Sequence, residues 1–161
     1  MTHHEGHHHT HGGQGHSNAG HEHADEEMHV HVHEHADEHE DEMDSCIEAC
    51  MQCHVVCTMT AQYCLSQGGE LATMEQVGLL LDCAQICQTS ADFMVRGSPF
   101  HVATCAVCAE ICRTCEEACR SAGGGDEHLE HCADVCAECA ASCEAMSAHG
   151  EEGDEEEEEE E

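Results

Sequence analysis

Sixteen cysteines between Cys46 and Cys143 form the pattern in this chain most capable of chemistry. Along Cys46, Cys50, Cys53, Cys57 and Cys64 the gaps are four, three, four and seven. Cys105, Cys108, Cys112, Cys115 and Cys119 follow three, four, three and four, and Cys132, Cys136, Cys139 and Cys143 follow four, three and four. Alternating threes and fours keep each set on one stripe of a helix, whereas a strand would scatter them over two faces. Cys83 and Cys87 open the same phase on a shorter stripe that Leu80, Ser90 and Met94 continue. Residues three or four apart on a helix have Cβ atoms roughly 5 to 6 Å apart, so two sulfurs of one stripe can bridge one ion.

Softness and charge decide which ion that is. Thiolates select Cu(I) and Zn(II), but zinc wants four tetrahedral ligands, while Cu(I) accepts two or three and lets one sulfur bridge neighbouring ions. A continuous ladder suits Cu(I). Charge leads the same way: one Cu(I) per buried thiolate leaves the interior neutral, whereas Zn(II) on four thiolates leaves a net negative site. The pattern points to storage of multiple Cu(I) ions, on the order of one per cysteine. Zinc buffering and an iron–sulfur or redox protein are the alternatives. Disulfide scaffolds are loop-rich and do not present thiols as helical stripes. No nucleophile–base pair stands apart from the ladder, so the chain reads as a non-enzyme.

More weakly binding donors continue the stripes. His101 lies four residues before Cys105, Met94 seven after Cys87, Met43 three before Cys46 and Met146 three after Cys143. In an antiparallel bundle these four meet at one end, where thioethers and an imidazole would hold Cu(I) loosely enough to serve as a port. The opposite end carries His128, four before Cys132, with Cys64, Cys119 and Met74 nearby. His54 and His131 are off the stripe and are expected to face solvent.

The elements that must position these donors are marked by caps. Asp44 or Ser45 is expected to start helix 1, which stops before Gly68. Thr73 with Gln76 reads as a capping box for helix 2, which ends at Gly97. Ser98-Pro99 supplies an N-cap and an N1 proline for helix 3, which closes at Gly123-Gly124-Gly125; Asp126 caps helix 4 and Gly150 ends it. Loops this short demand antiparallel neighbours, so the predicted fold is all-α: an up-down-up-down four-helix bundle over residues 45–150.

Composition bounds the rest. The 161 residues carry a formal charge of −33, with no lysine and only Arg96, Arg113 and Arg120 as strong cations. Nucleic acid and anionic membranes would be repelled, leaving cations as the natural partners. Residues 1–44 hold 14 of the 19 histidines and read as a disordered His/Glu-rich arm able to chelate Cu(II), Ni(II) or Zn(II) through imidazole. Residues 151–161 are a polyacidic run, also expected to be disordered and solubilising. No basic segment followed by an apolar stretch opens the chain, and no twin arginine, so a cytoplasmic location is expected, where thiols stay reduced. A cytosolic donor would then supply the copper.

Three segments carry a family resemblance: Leu81-Asp82-Cys83-Ala84-Gln85-Ile86-Cys87, the turn Arg96-Gly97-Ser98-Pro99-Phe100 leading into the Cys105–Cys119 ladder, and the run from His128 to Cys143. With them the chain resembles the cysteine-rich four-helix-bundle copper storage proteins, in particular the cytosolic branch without an export signal. The resemblance covers about residues 45 to 148. It implies Cu(I) storage inside the bundle and a homotetramer, and it does not extend to the tails.

Overall fold

The computed structural model describes the backbone of residues 30–150 and the side chains of residues 38–150. The expectations for residues 1–29 and 151–161 lie outside the described residues. The chain forms α1 (Val30–Gln67), a short 3₁₀ turn (Gly69–Ala72), α2 (Met74–Val95), α3 (His101–Gly123) and α4 (Glu127–Ala148). Among the described residues there is no strand, and no helix is long and apolar enough to cross a membrane.

Each helix packs on two neighbours, α1 on α2 and α4, α3 on α2 and α4. Sulfur register shows the directions. Cys46, Cys50 and Cys57 face Cys143, Cys139 and Cys132 in descending order, so α1 and α4 run antiparallel. On the α2/α3 side, Cys83 and Cys87 face Cys112 and Cys108. Bidentate Arg113–Glu144 (2.9 and 3.0 Å) and Arg120–Asp134 (3.2 Å) ion pairs tie α3 to α4 with the same sense.

The caps explain most boundaries. Thr73 Oγ1 accepts the Gln76 backbone N–H at 3.1 Å and opens α2. Gln76 does not complete a capping box with its side chain, which turns inward so that Nε2 sits 3.9 Å from Cys119 Sγ. At the end of α2, Gly97 adopts φ +61° while its N–H reaches Met94 O and the Ser98 N–H reaches Phe93 O, a Schellman closure. Ser98 Oγ accepts the Phe100 N–H at 3.3 Å, the expected capping contact, although regular α3 geometry begins only at His101. Asp126 Oδ1 accepts the N–H groups of His128 (2.9 Å) and Leu129 (3.2 Å), and its Oδ2 accepts the Tyr63 hydroxyl at 2.6 Å, tying α4 to the end of α1.

One boundary differs from expectation. Helix α1 does not start at Asp44 or Ser45 but at Val30. The residues upstream of Ser45 include Glu34, Ala36, Glu38, Glu40 and Glu42, all good helix formers, with no glycine or proline to stop propagation. A cap signal terminates a helix only when the chain before it prefers another conformation. At 38 residues α1 is about 57 Å long, against about 33 Å for the 22-residue α2 and α4. It therefore overhangs the bundle at one end.

The core is sulfur supplemented by small residues. All sixteen cysteines are fully buried, packed with Leu80, Leu129, Val135 and a set of alanines including Ala84, Ala109, Ala133 and Ala140. Free cysteine packs as a small hydrophobe, so the apo interior is held by modest contacts and few large side chains.

Candidate metal centre

The stripes converge on one column. Starting from the overhang end, Cys46, Cys105 and Cys143 form a first group, all sulfurs within 4.8 Å of one another. The next groups are Cys50, Cys108, Cys139 and Cys143; then Cys53, Cys87, Cys112 and Cys139; then Cys53, Cys57, Cys83 and Cys136; and last Cys57, Cys115, Cys132 and Cys136. Every successive pair of groups shares at least one cysteine: Cys143, Cys139, Cys53, then Cys57 and Cys136. Cys64 and Cys119 lie beyond the last group, both fully buried. All sixteen are free thiols, with the closest sulfurs 3.5 Å apart, far from the roughly 2.05 Å of a disulfide.

Burial and crowding control ionisation. Burial pushes the Cys64 thiol up, and nearby Cys132 and Asp126 add to it. The contacts with Cys115 and then Cys132, together with burial, raise Cys119. At the other end Cys105 is pushed up to about 12: its contact with Cys143 favours the thiolate, but the Cys46 contact, burial and neighbouring charge outweigh it. Cys50 goes the other way, to about 6, because although the Cys108 contact opposes ionisation, those from Cys139, Cys143 and Cys46 together exceed it. Thiols shifted upward, Cys64, Cys105 and Cys119 among them, hold protons that an incoming cation must displace.

The residues expected at the port behave unequally. Met94 and Met146 are buried, and Met94 Sδ lies 3.8 Å from Cys105 Sγ. Met43 is half-buried against the core. His101 is half-buried, and its Nδ1–H donates to the Ser98 carbonyl at 2.8 Å, which leaves Nε2 free to accept a metal. At the opposite end His128 is exposed, its ring edge-on against Tyr63 with centroids 4.1 Å apart, so the structure does not bring it to the sulfurs. Met74 is 91% exposed and also stands outside. His131 is exposed as expected, but His54 is half-buried and ties α1 to α2 by donating Nδ1–H to the Ala84 carbonyl at 2.9 Å. Sequence reasoning assigned Gln76 to a cap and so missed its inward amide beside Cys119; a glutamine one stripe position ahead of Leu80 and Cys83 was the available signal.

Residues 39–148 match the copper storage protein family. Among solved structures, a protein from Nitrosospira multiformis is 38% identical with a TM-score of 0.64, covering 68% of this chain and 98% of its own. The Cu(I)-bound form of a copper storage protein from Bacillus subtilis is 32% identical with a TM-score of 0.62, covering 66% of this chain and 98% of its own. A cytosolic copper storage protein from Streptomyces lividans, solved during copper loading with five coppers, is 30% identical with a TM-score of 0.62, covering 67% and 93%. No curated protein sequence matches the chain.

Proposed function

We propose, from the premise that this chain belongs to the copper storage protein family, that it takes up Cu(I) and stores many ions on the thiolates of its bundle interior. The observation that carries this reading is the sharing of cysteines between successive sulfur groups. A sulfur that belongs to two groups can bridge two ions, which Cu(I) tolerates and isolated tetrahedral zinc sites do not need. Cys46, Cys50, Cys53, Cys57, Cys64, Cys83, Cys87, Cys105, Cys108, Cys112, Cys115, Cys119, Cys132, Cys136, Cys139 and Cys143 are the ligands of this proposal. Each Cu(I) replaces a proton, so the filled column stays neutral at a capacity on the order of one ion per cysteine.

Met43, Met94, His101 and Met146 form the port in this reading, supported by the Met94–Cys105 contact and the free Nε2 of His101. A cytosolic donor delivers the ion, and the chain turns over no substrate. A stripe of exposed apolar residues on α1, Met51, Val55 and Met59, supports self-association, with the tetramer of the resemblance as its form. Elemental analysis of protein purified anaerobically from copper-fed cells tests the metal. Copper in excess of zinc and iron, several ions per chain, is expected; zinc or iron as the dominant metal would sink the reading.

A further inference from the structure

The α1 overhang places a second kind of donor against α4. Outward from Cys46, Met43 follows at three residues and His39 four further; outward from Cys143, Met146 follows at three and His149 at three further. The two helices are antiparallel, so these series run side by side. Cys46 and Cys143 sulfurs are 3.7 Å apart at the inner end, and the rings of His39 and His149 meet edge-on with centroids 5.1 Å apart at the outer end. Met43, half-buried, and buried Met146 lie between them.

We propose that His39 and His149 form a two-imidazole Cu(I) capture site at the outer end of the α1/α4 seam, with Glu42 orienting His149. The proposal rests on the storage reading above. Glu42 Oε2 accepts the Nε2–H of His149 at 2.8 Å, which leaves Nδ1 as the ring's lone-pair donor. The site is open to solvent: the His149 and Glu42 side chains are 39% and 54% exposed. A groove of about 290 Å³ lined by Asp41, Glu42, Ser45, Ser142, Ala145 and Met146 runs along the same seam. Exposed Glu40, Asp41 and Asp44 give this end a negative potential that concentrates cations.

Going inward the donors change from imidazole to thioether to thiolate, each softer or more strongly binding for Cu(I) than imidazole at the surface. The ion moves by ligand exchange and stays Cu(I) throughout; the receiving thiol releases its proton, and no electron is transferred. The family match covers residues 39–148, so His39 is its first residue and His149 falls outside it. His39 lies on the overhang of α1 and His149 caps the C-terminal end of α4.

The test is anaerobic transfer of Cu(I) from a chelator complex to the reduced full-length protein, followed by thiolate-to-copper absorbance. In H39A/H149A the initial rate should fall at least about tenfold, the lower end of what outer-shell changes do to metal sites. The equilibrium capacity should drop by no more than the ion the pair itself holds. H39M/H149M, which keeps soft donors at both positions, should recover most of the rate, and E42Q should slow loading less than the double variant does. Both histidines are at the periphery, and retained helical circular dichroism confirms folding; if the double variant loses it, H149Q carries the same expectation. A rate in H39A/H149A within about twofold of the parent overturns the capture site, including the case in which the histidines of residues 1–35 do the work. A parent protein that binds few ions at equilibrium overturns the storage reading instead, and the capture site with it.

Discussion

At the residue scale, equivalent-looking cysteines hold unequal places in the column. Cys53, Cys57, Cys136, Cys139 and Cys143 each belong to two sulfur groups, whereas Cys64 and Cys119 belong to none. Replacing Cys139 by serine should therefore cost more than one Cu(I) at saturation, and Cys64→Ser at most one, as counted by titration against a chelator. The thiols make a pH prediction as well. Cys64, Cys105 and Cys119 have folded-state pKa values above the ordinary thiol value, so the folded apo protein binds more protons than the unfolded chain above pH about 9. Their contribution is fully present below that pH and is lost as pH rises towards 12, the value for Cys105. Urea midpoints of the apo protein should fall across pH 9 to 12, and those of the copper-loaded protein should fall less, because its thiols have already lost their protons. A flat apo profile over that window would contradict this electrostatic picture.

The stripe phase was legible at this scale because cysteine gaps are direct readouts of helical geometry. The surroundings of the histidines were not. Whether His54 faces water or the Ala84 carbonyl, and whether His128 turns to Tyr63 or to the sulfurs, depends on a neighbouring helix that spacing within one helix does not report.

Elements were legible wherever the cap signal lay next to a true breaker. Glycines with positive φ end α2 and α3, and Asp126 and Thr73 cap α4 and α2 through their side chains. The start of α1 was not legible from Ser45, because a capping residue embedded in helix formers competes with propagation and loses. Two substitutions test the boundary chemistry. Thr73→Ala removes the acceptor for the Gln76 N–H and should destabilise the apo protein by about 1 kcal/mol in urea unfolding. Gly97→Ala forces a Cβ into the left-handed region at φ +61° and should cost on the order of 1 to 2 kcal/mol. Neither residue is a proposed ligand. Apo stability should fall, and the copper-to-protein ratio at saturation should hold.

At the scale of the whole molecule, a core built from thiols, alanines and a few leucines is weak when empty and cross-linked when filled. Copper bound only by the folded chain shifts the folding equilibrium by mass action, so the melting temperature should rise steadily with each equivalent added and not plateau after the first few. The four-helix architecture was legible because composition, periodicity and caps agreed on it. The pairing of the overhang with α4 was not, since it required knowing that α1 runs past its expected cap and that His149 lies level with His39. The excess of acid over base leaves a surface that attracts cations and repels nucleic acid, consistent with a protein whose cargo is a metal ion.

The central claim, a column of shared thiolates that stores Cu(I), is tested most directly by anaerobic titration of the fully reduced protein with Cu(I) in the presence of a competing chelator. Copper is expected to stay off the chelator until the protein holds on the order of one ion per cysteine. Saturation at about four ions or fewer, as separate tetrahedral sites would give, would contradict it.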